Sequence, residues 1–277
     1  MRKPLSADDP EKWQPVFGQD HAQMEKLMSE LVLVTDDGPV RTVQMNRPDK
    51  KNALTLAMYD AMTDGIEGAV KNPALRCILI SGAPTVFCAG NDIGDFVKMT
   101  GKGAGLGAPI IRFLHALARC EKPLVAAVQG NAVGVGTTML MHCDYVVASH
   151  EARFSTPFVS LGLVPEAAAS LIAPRLMGHA RAFSLLVMGQ PLDADEAQAA
   201  GLINTAVSPG AVEAEAMKAA VVIAALPPQA VLASRRLMRG TVNEIVARVD
   251  AEAEQFKVRL QSAEARAAFE AFVTRRR

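Results

Sequence analysis

Three short apolar runs with helical segments between them constrain the fold of this chain more than any other feature. They are RCILISG at 76–82, KPLVAAVQG at 122–130 and DYVVAS at 144–149. Apolar runs of this length are typical of strands that are buried on both faces of a sheet. Because parallel strands need a crossover between them, their alternation with helices predicts an α/β core built on a parallel sheet.

The segments around these runs extend the same pattern. LVLVTDD and VRTVQMN, joined by a DDG turn, predict a β-hairpin. Thr55 caps a predicted helix that ends near Lys71 and Asn72, TTMLMHCD predicts a short helix, and AAASLIAPRLMG predicts a helix that Gly178 ends. From about Gly189 onward the strand signal fades, and Ala-rich amphipathic helices are predicted instead.

These patterns divide the chain into three parts. Residues 1–29 form a polar, proline-containing arm, 30–205 form the α/β core, and 206–277 form a helical region that packs on the core or on another subunit. Within the core, a Gly-rich linker, TGKGAGLGAP, precedes a helix over IIRFLHALARC.

The amino-acid composition limits the kinds of molecule that this chain is expected to bind. Lys and Arg together number 29, as do Asp and Glu, so no net charge attracts the chain to nucleic acid or to an anionic membrane. No apolar run reaches the roughly 18 residues of a membrane span, and the start lacks a signal-peptide core. The four cysteines lack metal-ligand spacing. We therefore expect a cytoplasmic protein with reduced thiols and no metal site.

One carboxylate stands out in the segment FSTPFVSLGLVPEAAAS at 154–170. Glu166 lies between an apolar stretch and three alanines, and a carboxylate denied solvent has its pKa raised toward the range of a useful base. Alternatively, Pro165 occupies the first turn of a helix and Glu166 complements the helix dipole. The residues alone leave both interpretations open.

Two glycine-containing loops offer backbone N–H groups. In QGNAVGVGTTM the glycines have the spacing GxxxGxG, which is not the dinucleotide-binding pattern, and no P-loop lysine follows. In FCAGNDIGDF, Gly90 permits a turn that leaves the N–H of Asn91 available. Two such N–H groups could form an oxyanion hole. Close packing of a strand on a helix is the alternative role for these glycines.

Other reactive residues are weaker candidates. Cys88 and His142 suggest a Cys/His nucleophile, but nothing in the sequence brings them together. Asp144, between a predicted helix and a strand, is expected to be a cap or turn residue.

Four blocks in order resemble the crotonase superfamily of acyl-CoA enzymes, from about residue 31 to the end. They are MNRPDKKNALTLAMYDAM, FCAGNDIGDF, KPLVAAVQGNAVGVGTTMLMHCDYVVAS and ARFSTPFVSLGLVPEAAAS. The resemblance implies a spiral of repeated ββα units in two nearly perpendicular sheets, with C-terminal helices that help to build a homotrimer or a dimer of trimers. It also implies an acyl-CoA thioester substrate and no separate cofactor, since coenzyme A is part of the substrate.

The resemblance assigns roles to individual positions. The thioester oxygen would accept the N–H groups of Asn91 and Val135. The NRPxKxNAL block would lie along the CoA, with its basic residues near the phosphates, although each could equally be a solvated loop charge. Phe158, Leu161, Val164 and Met139 are candidates for the wall around the acyl chain, or ordinary core residues. The full implied substrate-binding set is Arg47, Lys50, Lys51, Ala53, Ala89, Gly90, Asp92, Gly134, Thr138, Phe158 and Leu161.

The reaction depends on which acids are present. Enoyl-CoA hydratases carry two glutamates at the positions of Thr138 and Phe158, so ordinary hydration is not expected here. Glu166 matches the base of the monofunctional, peroxisomal-type enoyl-CoA delta isomerases. We therefore expect an isomerase that moves a 3,4 double bond to the trans-2 position. An atypical hydratase and a catalytically silent acyl-CoA-binding homologue are the alternatives.

Overall fold

The computed structural model describes residues 30–83, 85–92, 94 and 105–274. The predicted N-terminal arm at 1–29 and the first half of the Gly-rich linker lie outside the described residues.

The larger sheet confirms the predicted hairpin and parallel core. Its first two strands pair antiparallel, and every later neighbour in the sheet is parallel. The central strands are buried along their whole length, as the uniformly apolar runs predict. In spatial order the strands of this sheet, within the described residues, are β1 (Val32–Asp37), β2 (Val40–Met45), β3 (Cys77–Ser81), β4 (Leu124–Val128), β6 (Tyr145–Ser149) and β9 (Thr205–Val207).

A second, smaller sheet lies beside the first. It comprises β5 (Asn131–Val133), β7 (Arg153–Ser155) and β8 (Leu192–Asp193). Both β8 and β9 lie beyond Gly189, where only helices are predicted, so that prediction was wrong. The two strands are too short to show a hydrophobic period in the sequence.

Helices cover the remaining ordered segments and form the C-terminal region. The first, α1, begins as predicted: the Thr55 side chain accepts a hydrogen bond from the N–H of Met58. From Val212 onward the described chain is helical apart from short connections, which confirms the helical C-terminal region. The helices are α1 (Leu56–Lys71), α2 (Ala108–Arg119), α3 (Val135–Thr138), α4 (Ala169–Leu186), α5 (Ala194–Ala199), α6 (Val212–Ala225), α7 (Pro228–Arg239), α8 (Val242–Leu260) and α9 (Ala263–Thr274).

Two predicted helices differ in detail. The short helix after the glycines splits into α3 and a 3-10 turn at Met139–His142. Gly178 has the non-helical angles φ 77° and ψ 158°, so the helix that begins at Ala169 ends there, as predicted. A second helix follows directly across this kink and continues to Leu186, so that α4 comprises both, and the second part buries Ala182 and Leu185 against the core.

The hydrophobic core lies on both faces of the larger sheet. On one face, α6 presents a stripe of small residues at four-residue spacing, Val212, Ala216, Ala220 and Ala224, which pack on strand side chains such as Leu79. Small residues allow the helix to approach the sheet closely. On the other face a larger cluster joins α1, α2, α4 and α8.

The described helices differ from membrane spans in length or in composition. None of them is long and apolar enough to cross a membrane alone. One pair, Pro209–Ala225 with Pro228–Arg239, reaches the required length and composition only when joined, and it is bent by 109°.

A buried asparagine joins the turn after β2 to the segment after β3. Asn52 is fully buried at φ 53°, and its side-chain oxygen accepts the N–H of Arg47 at 2.8 Å. Its amide nitrogen donates to the carbonyl oxygens of Val86 and Phe87, both at 3.0 Å. A backbone bond from Ala89 N–H to the Lys51 carbonyl continues this junction. The junction fixes two segments that line the site described below.

Substitution of Asn52 by Ala is expected to lower the free energy of unfolding by about 2–4 kcal/mol, because it leaves buried groups unpaired and places Ala at positive φ. Urea denaturation of the two proteins measures this difference. Asn243→Ala, at an exposed position in α8, is the matched control and should change stability by less than about 0.5 kcal/mol. A loss in Asn52→Ala no larger than the control would contradict the role of this junction.

Candidate active site

A cavity of about 690 Å³ lies among the segments that follow β2, β3 and β5. Phe256 of α8 and Phe269 of α9 complete its wall, so the C-terminal helices take part in the site. Most of the residues predicted for the site line this cavity: Lys50, Lys51, Ala53, Ala89, Gly90, Asn91, Asp92, Gly134, Val135, Phe158 and Leu161.

Backbone pairing brings the two glycine-containing loops together. Cys88 pairs in parallel with Ala132, and the N–H of Val133 donates to the Cys88 carbonyl at 2.9 Å. As a result Asn91 and Val135 both line the cavity. In the part of the chain that the structure describes, neither backbone N–H donates to a protein acceptor. The two groups are therefore available to one ligand oxygen.

Two glycines allow this close approach. Gly90 has φ 89°, and a Cβ there would lie 3.0 Å from the Val133 carbonyl oxygen. Gly134 has φ 57° and ψ −120°, a conformation that residues with a side chain rarely adopt. Both turns thus depend on the absence of a side chain.

Tyr59 of α1 supports the first of these loops. Its hydroxyl donates to the side-chain oxygen of Asn91 at 2.5 Å, and its ring packs edge-on against Phe113. Burial raises the pKa of Tyr59 well above its ordinary value, so the hydroxyl keeps its proton and remains a donor. The bond fixes the side chain of Asn91.

Glu166 is buried, with 1% of its surface exposed, and it is hydrogen-bonded to Thr138 of the short helix that begins with Val135. Burial raises the pKa of Glu166 to about 8; the hydrogen bond from Thr138 opposes this shift and the charge of Glu252 adds to it. Thr138 donates its hydroxyl proton to Oε1 of Glu166 at 2.5 Å. Among the described side chains, Thr138 is the hydrogen-bond donor to this carboxylate. The second oxygen is left to accept a proton, so this group can act as a base near neutral pH.

The conformation after Glu166 decides between its two interpretations. Helix α4 begins at Ala169, and Ala167 and Ala168 have left-handed φ values of 62° and 56°. This turn directs the Glu166 carboxylate toward Thr138 and not toward the N–H groups of the helix. The helix-start interpretation, with Pro165 and Glu166 in the first turn, was therefore wrong.

Three predicted residues do not line the cavity. Thr138 and Glu166 are buried and hydrogen-bonded to each other, with Thr138 in the same short helix as the lining residue Val135. Arg47 donates to the Ala53 carbonyl at 2.9 Å and to Asp92 at 2.7 Å, so its cation is paired within the protein.

The apolar part of the wall differs from the predicted set. Phe158 and Leu161 line the cavity, and Leu163 contributes as well. Met139 and Val164 pack in the hydrophobic core instead. The structure therefore supports the alternative that Met139 and Val164 are ordinary core residues.

Cys88 and His142 have partners other than each other. Burial raises the pKa of the Cys88 thiol to about 12 and lowers that of His142 to about 4, so both are neutral at neutral pH. The thiol accepts the N–H of Gly90, and His142 Nε2 donates to the Ala167 carbonyl at 2.7 Å. This arrangement gives no support to a Cys/His nucleophile.

Asp144 is structural, but its side chain makes long-range contacts instead of acting as the predicted cap or turn residue. It accepts the N–H of Leu124 at 2.8 Å and pairs with Arg235 at 2.7 Å. Within the described residues, no group of three or more His, Cys, Asp or Glu side chains could hold a metal ion.

Sequence reasoning missed Tyr59 and Glu252. Glu252 is 6% exposed and accepts the N–H groups of Ala168 and Ser170, which follow Glu166. A signal was present, because Glu252 lies on the apolar face of α8 between the buried Val249 and Phe256. A glutamate is rarely buried without a partner, so its position there indicates a specific contact.

Comparison with known proteins identifies the family of this chain. The family model for enoyl-CoA hydratase/isomerase matches residues 36–277. Enoyl-CoA delta isomerase 2 of Rattus norvegicus is 34% identical over 264 residues, which cover 94% of this chain and 67% of the relative. The 1,2-epoxyphenylacetyl-CoA isomerase of Escherichia coli (strain K12) is 30% identical over 255 residues, which cover 90% of this chain and 97% of the relative.

A solved structure shows the same fold. That of Pseudomonas aeruginosa OdaA superposes with a TM-score of 0.84 at 42% identity and covers 88% of this chain and 99% of that protein. Because the family model and these relatives each match most of its length, the chain belongs to the enoyl-CoA hydratase/isomerase family of the crotonase superfamily, whose enzymes act on acyl-CoA thioesters.

Proposed function

We propose that this protein is an enoyl-CoA isomerase that moves a 3,4 double bond of an acyl-CoA to the trans-2 position, with Glu166 as its base. The observation that carries the proposal is one buried carboxylate of raised pKa, hydrogen-bonded to the short helix whose first residue, Val135, lines a cavity with two available backbone N–H groups. Thr138 and Phe158 occupy the two hydratase positions, and neither can act as a carboxylate base.

The first step removes a proton from C2 of the 3-enoyl-CoA. The thioester oxygen accepts the N–H groups of Asn91 and Val135, which makes the C2 protons more acidic. Glu166 takes one of these protons, and the electron pair of the broken C–H bond delocalises as a dienolate with its negative charge on the thioester oxygen. The two N–H groups stabilise that charge where it develops.

The second step returns the same proton at C4. As the C4–H bond forms, the remaining double bond lies between C2 and C3, the charge leaves the thioester oxygen, and Glu166 is again ionised. The sum is one shifted double bond, with no water consumed and no further cofactor required. The apolar wall formed by Phe158, Leu163 and Phe256 keeps water from competing for the proton.

Thr138 supports isomerisation over hydration. In this site it donates to Glu166 and holds the carboxylate in one orientation. A hydratase needs a second carboxylate to hold and activate water, and this position supplies a hydroxyl that is already engaged with the base. The single carboxylate is sufficient for a proton shuttle.

The CoA phosphates are proposed to meet Lys50 and Lys51. Both side chains belong to exposed residues that line the cavity, whereas Arg47 is paired with Asp92. An exposed lysine at the mouth can meet a phosphate without first breaking an internal ion pair. Arg47 instead holds the turn that carries Ala53.

Glu166→Gln should reduce isomerisation of trans-3-hexenoyl-CoA by about a hundredfold to ten-thousandfold, because the amide keeps the shape but cannot take the proton. Hydration of crotonyl-CoA, measured in parallel, should be low in both proteins. Glu254→Gln, at an exposed position in α8, is the control and should keep wild-type activity. Faster hydration than isomerisation by the wild type would contradict the proposal, as would tight binding of both esters with no turnover.

The pH dependence follows from the raised pKa of the base. Because Glu166 acts in its ionised form, kcat/KM should rise with pH, with a midpoint of about 8, and should fall about tenfold per pH unit below it. In Thr138→Val the midpoint should move to higher pH, since the lost hydrogen bond favoured the ionised form. A midpoint near the ordinary glutamate value of 4.5 would rule out a buried base.

We also propose a homotrimer or a dimer of trimers. Helix α7 exposes Leu237 and Met238, each at 86%, and an apolar pair of this kind is suited to contact with another subunit. Analytical ultracentrifugation should give a mass of three or six times 29.4 kDa. Leu237→Asp combined with Met238→Asp should reduce that mass, and a single-chain mass for the wild type would contradict the assembly.

A further inference from the structure

The turn that carries the base is held by a helix from the far end of the chain. Glu252 of α8 accepts the N–H of Ala168 through Oε2 at 2.6 Å and the N–H of Ser170 through Oε1 at 2.9 Å. Both donors follow Glu166 within four residues, so one carboxylate fixes the backbone on which the base is mounted.

The conformation of this turn requires such support. Ala167 and Ala168 are both left-handed, a conformation that is strained for residues other than glycine. Strained residues of this kind persist only where their surroundings hold them. Glu252 holds the N–H of Ala168, and His142 donates to the carbonyl of Ala167 at 2.7 Å. The left-handed pair is thereby held by two different elements.

Helix α8 also links the base to the wall of the cavity. Phe256 lies one turn after Glu252 on the same helix and lines the cavity. Residues four apart lie on one face of a helix, so a single rigid element sets both the position of the turn and that wall.

Glu252 also has an electrostatic effect on Glu166, because the other titratable groups near Glu166 are neutral. Tyr59 of α1 and Cys88 after β3 also interact with Glu166, but burial raises the pKa of both, so they are neutral at neutral pH. His142, on the 3-10 turn, is neutral because its pKa is lowered to about 4. The negative charge of Glu252, which Arg248 of α8 faces, raises the pKa of Glu166.

We infer that Glu252 is a positioning residue of this enzyme, whose carboxylate holds the left-handed turn at Ala167 and Ala168 and thereby orients the Glu166 carboxylate. The kinetic part of this inference rests on the proposed isomerase activity. The structural part, the anchoring of the turn, rests on the hydrogen bonds alone.

The test compares Glu252→Gln, Glu252→Asp and the exposed control Glu254→Gln in the full chain. Hydrogen exchange of the peptide at 163–171, read by mass spectrometry, reports the anchoring without any substrate. Steady-state rates with trans-3-hexenoyl-CoA between pH 6 and pH 10 report kcat, KM and the midpoint of the pH profile. Rates are expressed per mole of folded enzyme, so that a smaller folded fraction is not counted as a lower catalytic rate.

In Glu252→Gln, exchange at 163–171 should become at least about tenfold faster, and kcat should fall about tenfold to a hundredfold with little change in KM. The midpoint should move to lower pH, because a negative charge that favoured the protonated base has been removed. In Glu252→Asp the charge remains but the reach is shorter, so kcat should fall while the midpoint stays near that of the wild type. The control should match the wild type in every measurement.

Unchanged exchange at 163–171 in Glu252→Gln would overturn the inference. So would a lower melting temperature accompanied by wild-type kcat and an unmoved midpoint, because that result describes a purely structural residue. If the wild type does not isomerise the substrate, the proposed function fails, and the exchange measurement still decides whether Glu252 holds the turn.

Discussion

The burial of one carboxylate is the constraint on which the arrangement of this site depends. An ionised group without solvent is costly, so Glu166 retains its proton to a much higher pH than an exposed glutamate does. The hydroxyl of Thr138 offsets part of that cost by donating to the carboxylate. What remains is a group whose two protonation states lie close in free energy at neutral pH, and that balance is required of a residue that takes a proton and returns it.

The rest of the site is divided between the sheets and the C-terminal helices. Backbone pairing between Cys88 and Ala132 sets the two loops whose N–H groups face the cavity, and it uses no functional side chain. The C-terminal helices contribute Phe256 and Phe269 to the wall and Glu252 to the turn that follows the base. The α/β core thus supplies the electrostatic part of the site, and the helical region completes the enclosure and the support of the base.

The same fold can carry different reactions, and the choice here depends on a few side chains. Thr138 places a hydroxyl, and no second carboxylate, against Glu166. Phe158 contributes an apolar ring to the wall of the cavity. The proposed single-base proton transfer rests on these two side chains together with Glu166, since one carboxylate among apolar walls suits a proton shuttle better than the activation of water.

The sequence by itself determined the elements whose signals are local. The apolar runs of β3 and β4, the Thr55 cap of α1 and the glycines of the two loops follow from hydrophobic period, hydrogen-bonding capacity and backbone freedom. The short strands β8 and β9 had no such period. Only the tertiary structure decided that Ala167 and Ala168 are left-handed, because the contact that holds Ala168 comes from Glu252, 84 residues along the chain. Alanine disfavours this conformation, which is stabilised here by partners far away in the sequence. No local sequence pattern reveals such partners.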